Sequence, residues 1–129
     1  MSTAVGTTLP DLVIDASVRN IVATAIASRD YQDVHHDIAT AQEKGSKTIF
    51  TNILTSNGYV LRYVTDHFGP QSVIKSSKLR LGVPNYAGDV MTMRGTVTAV
   101  DGQLLTIDVK GSNSLGDHVI ATVTVEVPA

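Results

Sequence analysis

At Gly69-Pro70 the hydrophobic pattern of this chain changes period, and it does not change back. Upstream, residues 48–69 (TIFTNILTSNGYVLRYVTDHFG) place Ile49, Ile53, Leu54, Val60, Leu61, Val64 and Phe68 at helix-like spacings. Thr51 or Asn52 is suited to cap the start of that helix, and the Gly-Pro pair stops it. Gly58 inside it disfavours helix by about 1 kcal/mol relative to alanine, a penalty that either close packing or chance must explain. Downstream, residues 72–83, 89–100, 103–112 and 118–127 are dense in Val, Ile, Leu, Thr and Met and alternate with period two. Asp101-Gly102 is a hairpin signal, and NYAGD (85–89) and NSLGD (113–117) are the other turns. Short connections make consecutive strands antiparallel neighbours, so the chain is expected to be α+β, one long helix laid against an antiparallel sheet.

Ahead of the helix, residues 18–27 (VRNIVATAIA) are rich in β-branched side chains with loose alternation, which predicts a strand covered on both sides. Asp37 then caps a short helix, IATAQEK, closed by Gly45. Residues 1–129 read as one domain, without repeats, low-complexity tracts or linkers.

Composition excludes several classes. A net charge of −2 offers no general attraction to nucleic acid or an anionic membrane. There is no cysteine, which removes disulfides, thiolate metal sites and cysteine nucleophiles and suits a cytoplasmic protein. The start, MSTAVGTTLPDLVID, lacks the features of a signal sequence, and no run is long enough to span a membrane. No serine-hydrolase elbow, phosphate-binding loop or dinucleotide fingerprint occurs.

Ionisable chemistry gathers in RDYQDVHHD, residues 29–37. Asp30 and His35, five residues apart, can face each other across an irregular turn and converge on one water as an acid–base pair; a polar turn without chemistry fits the same spacing. His36 and Asp37, with Asp33 near, invite a metal reading. Adjacent histidines in an extended segment diverge, however, and a third ligand at recognisable spacing is missing, so no metal site is expected. His67 complements the dipole at the helix end, and His118, at a strand start, is assigned to surface or packing. Lys75, Lys78, Arg80 and Arg94 suit either phosphate contacts or a solvated strand face.

A strand, an Asp with His five residues on, an amphipathic helix, then strands with a Pro-x-x-x-Gly-Asp turn resembles the MaoC-like, or R-specific, enoyl-CoA hydratases. Their D-x-N-P-x-H signature stands as Asp30-Tyr31-Gln32-Asp33-Val34-His35, with Gln32 and Asp33 in place of Asn-Pro. Their helix entry corresponds to Ile49-Phe50-Thr51-Asn52-Ile53-Leu54, with Asn52 where glycine is usual. Leu81-Gly82-Val83-Pro84-Asn85-Tyr86-Ala87-Gly88-Asp89 and Asn113-Ser114-Leu115-Gly116-Asp117 match the later strand and turns. Within that family the chain is most similar to the small subunits of actinobacterial steroid (cholesterol) side-chain enoyl-CoA hydratases: R-D-[FY]-Q-D-V-H-H-D, G-S-K (Gly45-Ser46-Lys47), R-Y-V-T-D (Arg62-Tyr63-Val64-Thr65-Asp66) and L-R-L-G-V-P (Leu79-Arg80-Leu81-Gly82-Val83-Pro84) all occur.

The resemblance implies a hotdog fold and hydration of a trans-2-enoyl-CoA to a 3-hydroxyacyl-CoA in steroid side-chain β-oxidation. It assigns Asp30 and His35 to hold and activate the water. It places the thioester oxygen at the helix N-terminus, at the free N–H groups near Asn52 and Ile53. The acyl-CoA is substrate, no cofactor is implied, and a larger MaoC-like subunit is the expected partner, in a heterodimer or heterotetramer, with a homodimer as the simpler form. A hotdog thioesterase and a non-catalytic assembly subunit are the alternatives. They differ in whether CoA is released and in whether Asp30 and His35 matter at all.

Overall fold

The computed structural model describes residues 4–129; Met1, Ser2 and Thr3, the start of the stretch read for a signal sequence, lie outside it. The elements are β1 (Thr8–Ala16), α1 (Val18–Ala27), a 3₁₀ turn (Asp33–His35), α2 (Ile38–Glu43), α3 (Ile53–Phe68), β2 (Val73–Leu81), β3 (Asp89–Asp101), β4 (Leu104–Asn113) and β5 (Gly116–Glu126). The five strands form one sheet in the order β1-β3-β4-β5-β2, every pair antiparallel, so β1 and β2 are its edges.

The sheet wraps α3. Val60, Tyr63, Val64 and Phe68 share one face of the helix and bury against Met91, Met93, Leu105, Ile107, Val109, Val119, Val123 and Val125 from the central strands. Each such aliphatic side chain contributes about 1.5–3 kcal/mol on burial, so this layer carries the stability. Gly95 lets the layers meet: a Cβ there would stand 2.7 Å from Tyr63 Cε2, where real Cβ atoms essentially never come. Tyr63 Oη donates to the Leu9 carbonyl at 3.3 Å, tying the same ring to β1. A second, smaller core of Ala16, Ile21, Ala41 and Ile49 packs α1 and α2 beside the helix entry.

Residues 18–27 correct the expectation of a strand: they form α1. Ser17 caps it, its hydroxyl accepting the Asn20 N–H at 3.1 Å. Ile21 and Ala25, one turn apart, are its buried residues, a helical spacing that the many β-branched side chains obscured. The fifth strand is instead β1. Leu9, Ile14 and Ala16 are buried along it, but Pro10 and a register shift between Leu9 and Leu12 break the alternation, as an edge strand tolerates. The long helix begins at Ile53, so Ile49 and Phe50 lie in an extended entry. There Phe50 bridges to Tyr86, and Ala87 N–H donates to the Ile49 carbonyl at 3.0 Å. Close packing within the chain does not account for Gly58, since a Cβ there would meet nothing within 4 Å.

Candidate active site

The turn bearing Asp30 is built by the end of α1. Asp30 N–H donates to the Ala25 carbonyl at 2.9 Å and Arg29 N–H to Ile26 at 3.0 Å, the paired bonds of a Schellman ending. The left-handed position falls on Arg29, at φ +59°, where glycine would be the easier occupant; among the described residues it is the only non-glycine with positive φ. The chain then closes through the 3₁₀ turn, with His35 N–H on the Gln32 carbonyl at 3.1 Å. Gln32 and Asp33 form this loop without proline.

His35 is 5% exposed and its Nδ1 stands 2.7 Å from the Phe50 carbonyl oxygen. A carbonyl only accepts, so Nδ1 carries the hydrogen and Nε2 of the neutral ring is left basic. That Nε2 lies 3.4 Å from Asp30 Oδ2. With the ring neutral, two acceptors meet across this gap and one water donating a hydrogen to each completes the arrangement; with the ring protonated, Nε2–H donates to the carboxylate directly. Phe50 also packs edge-on against the His35 ring, centroids 5.0 Å apart.

The pair borders a cavity of about 190 Å³ between His35 and Phe50 on one side, the entry of α3 at residues 51–53 below, and residues 81–84 with His118 opposite. Asn52 is the N-cap by position, yet its side chain caps nothing. It is 2% exposed, its Nδ2 donates to Ser28 Oγ at 2.9 Å, and its Oδ1 accepts the Thr55 hydroxyl. The amide thus ties the start of α3 to the end of α1 that carries Asp30. Its φ of −81° needs no glycine. The first helical bond is Ser56 N–H to the Asn52 carbonyl at 3.1 Å, which leaves the N–H groups of the first turn, Ile53 foremost, as free donors at the positive end of the helix.

Other sequence candidates separate cleanly. His36 turns outward to the Tyr31 carbonyl, 3.2 Å, and 3.7 Å from Asp33, while Asp37 caps α2 by accepting Thr40 N–H at 3.1 Å. The bonds from Thr40 hold the Asp37 carboxyl below its usual range. Among the described residues, no three His, Cys, Asp or Glu gather as a metal would require. His67 lies in the last turn of α3 with a buried Nε2 that has no partner, edge-on to Phe68. Arg94 pairs with Asp11 and Lys75 with Glu126, and none of the four strand cations lines the cavity.

Sequence reasoning missed Ser28, Ser56, Asn85 and the contacts of His118, for which packing rather than surface is the alternative that holds. Asn85, 1% exposed, holds the entry by accepting Thr51 N–H on its carbonyl at 3.1 Å and donating from Nδ2 to Thr51 Oγ1 at 3.2 Å. His118 is no surface residue: it is 2% exposed, within hydrogen-bond distance of Ser56 and Val83, and desolvation lowers its pKa. Its phase in β5 gave no hint of this, since the core positions there are Val119, Ala121, Val123 and Val125.

The chain is 57% identical over 121 residues, 94% of each chain, to the 3-oxo-4,17-pregnadiene-20-carboxyl-CoA hydratase beta subunit of Mycobacterium tuberculosis. It belongs to that MaoC-like hydratase family. No family model matches it. A chain of the crystallised ChsH1-ChsH2 complex from Mycobacterium tuberculosis superposes with a TM-score of 0.96 at 54% identity, covering 98% of this chain and 100% of that one. The (R)-hydratase of A. caviae involved in PHA biosynthesis gives a TM-score of 0.90 at 21% identity over 98% of both chains, which shows the shared hotdog fold. Among the described residues of the present chain, no helix is long and apolar enough to cross a membrane.

Proposed function

We propose that this chain is the small, catalytic subunit of an enoyl-CoA hydratase acting in steroid side-chain breakdown. The observation that carries the reading is Asp30 and His35 facing each other at 3.4 Å beside the uncapped N-terminus of α3. Water held by both groups attacks Cβ of a trans-2-enoyl thioester. One of its hydrogens passes to the pair, and the C=C electrons move toward the thioester oxygen. The first-turn N–H groups at Ile53 receive that developing charge, a contribution of about 3–4 kcal/mol per donor in comparable sites. The proton then returns from the pair to Cα, giving the 3-hydroxyacyl thioester. No electrons are gained or lost, so the chemistry asks for no redox cofactor, and the pair and helix end supply the acid, base and electrophile without a metal.

At about 190 Å³ the cavity is smaller than the roughly 300–1,000 Å³ of pockets that bury a drug-sized ligand, so it encloses only part of a steroid acyl group. The remaining wall comes from a larger MaoC-like partner. Its support is the apolar surface that continues outward from the cavity: Ile53, Leu54 and Leu81 are 51%, 54% and 38% exposed, beside the unpaired edge of β2. The related ChsH1-ChsH2 structure is itself a complex of two different proteins. A cytoplasmic setting goes with a CoA thioester substrate and a cysteine-free chain.

The test is to mix the chain with its larger partner and steroid side-chain or short straight-chain enoyl-CoA, following both enoyl absorbance and free thiol. Loss of absorbance without thiol release is expected. Thiol release without hydration makes the protein a thioesterase, and a fully active homodimer on bulky substrates removes the partner's share of the pocket.

A further inference from the structure

The first turn of α3 is held differently from the rest of the helix. Ile53 and Leu54 are exposed, and the apolar face that grips the sheet begins only at Val60. What faces inward at the start is polar: Asn52, Thr55 and Ser56, all buried, with Ser56 at 0% exposure. Ser56 stands directly behind the peptide unit joining Asn52 to Ile53. Its N–H donates to the Asn52 carbonyl at 3.1 Å, and its hydroxyl, 3.3 Å from the same oxygen, has a single hydrogen for which the shorter contact to His118 competes, so the backbone N–H is what grips the peptide.

Ser56 Oγ is also 2.7 Å from His118 Nε2, and His118 Nδ1 is 2.7 Å from the Val83 carbonyl. Val83 can only accept, so the ring hydrogen is on Nδ1, and neutral Nε2 accepts the Ser56 hydroxyl. Burial favours that neutral form. His118 grips the same wall by its backbone, its carbonyl accepting Gly82 N–H at 2.7 Å while Val83 N–H reaches Asp117 at 3.0 Å. Gly82 makes this approach feasible, since a Cβ there would collide with the Asp117 carbonyl. One histidine therefore clamps both sides of the cavity, the α3 entry through Ser56 and the β2 exit through Val83.

We propose that His118 is a positioning residue for the hydration step: acting through Ser56, it fixes the Asn52–Ile53 peptide whose N–H receives the oxyanion, and through Val83 it sets the width of the thioester slot. This rests on the hydratase reading. A donor aligned with the oxyanion gains most in the transition state, so loosening it lowers kcat while leaving substrate binding nearly intact. Serine and histidine are needed as a pair, because either alone leaves a buried polar atom unmatched.

The experiment uses Ser56→Ala, His118→Gln and His118→Ala in the complex with the larger partner, with backbone amide NMR of each chain recorded alongside. Ser56→Ala removes one hydroxyl and should fold. It is expected to lower kcat at least about tenfold, short of the 100-fold or more for deleting an oxyanion donor, with KM within about twofold. His118→Gln, whose amide can still meet Ser56, is expected to recover part of the kcat lost in His118→Ala. The Ile53 amide resonance should move in Ser56→Ala while the His35 ring signals stay, a result that stands whatever the substrate proves to be. Wild-type kcat in Ser56→Ala, equal losses expressed only in KM, or an unmoved Ile53 amide overturns the proposal. An inactive wild-type complex with a shifted Ile53 amide instead faults the hydratase reading alone.

Discussion

His35 and His118 face the same cavity and are locked in the same way, each with Nδ1 2.7 Å from a backbone carbonyl, Phe50 for one and Val83 for the other. They differ in what meets Nε2. For His118 it is the Ser56 hydroxyl at 2.7 Å, a donor that satisfies the ring. For His35 it is the Asp30 carboxylate at 3.4 Å, a group that only accepts. A shared backbone lock thus leaves one histidine facing a hydroxyl and the other facing a carboxylate, the pair proposed above to hold the attacking water. Burial and tautomer alone would not have told them apart; the atom opposite Nε2 does.

The comparison breaks most visibly at His35. His35→Gln is expected to lower kcat/KM by at least about 100-fold, the lower range for acid–base catalysis, with the fold intact by circular dichroism. A loss shared equally by stability and rate would make His35 as structural as its counterpart. Next in size is the apolar layer that neither histidine touches chemically. Ile107→Ala, at a fully buried position, should destabilise by about 2–5 kcal/mol in denaturant titration and leave the turnover of folded protein unchanged.

His118 should also show itself in pH dependence. Its folded pKa lies below the ordinary 6.5, chiefly through desolvation, so the unfolded chain binds its proton first as pH falls. The stability it contributes is full above about pH 6.5 and is lost as pH drops through the folded value. His118→Gln should flatten that part of the stability curve between neutral and mildly acid pH, and an unchanged slope would show that the ring is not desolvated. The smallest effect belongs to Gly58. With open space around it, Gly58→Ala should raise the stability of the isolated chain by about 1 kcal/mol. If the same change weakens assembly, the glycine is there for the partner.

Much of this is legible in the amino-acid sequence. The period change at Pro70 and the turns at 85–89, 101–102 and 113–117 foretold β2 to β5, and Asp37 foretold the cap of α2. Asp30 and His35 are marked by the family resemblance, their five-residue spacing alone fitting a polar turn equally well, and the structure brings them to 3.4 Å. The first thirty residues misled for local reasons: β-branched Val18, Ile21, Val22 and Ile26 favour strand by propensity, yet the Ser17 cap and packing of Ile21 and Ala25 make a helix. Pro10 hid the real edge strand. Ser56 and His118 are 62 residues apart, a pairing that only the sheet register creates.

The most direct test of the account is turnover of an enoyl-CoA by the chain with the proposed larger partner, wild type against Asp30→Asn. The substitution keeps the shape of Asp30 and removes the charge facing His35. Hydration by the wild type with a loss of at least about 100-fold in the variant is the predicted result. Equal rates for the two would contradict it, leaving RDYQDVHHD as an ordered turn and placing the acid–base chemistry in another chain.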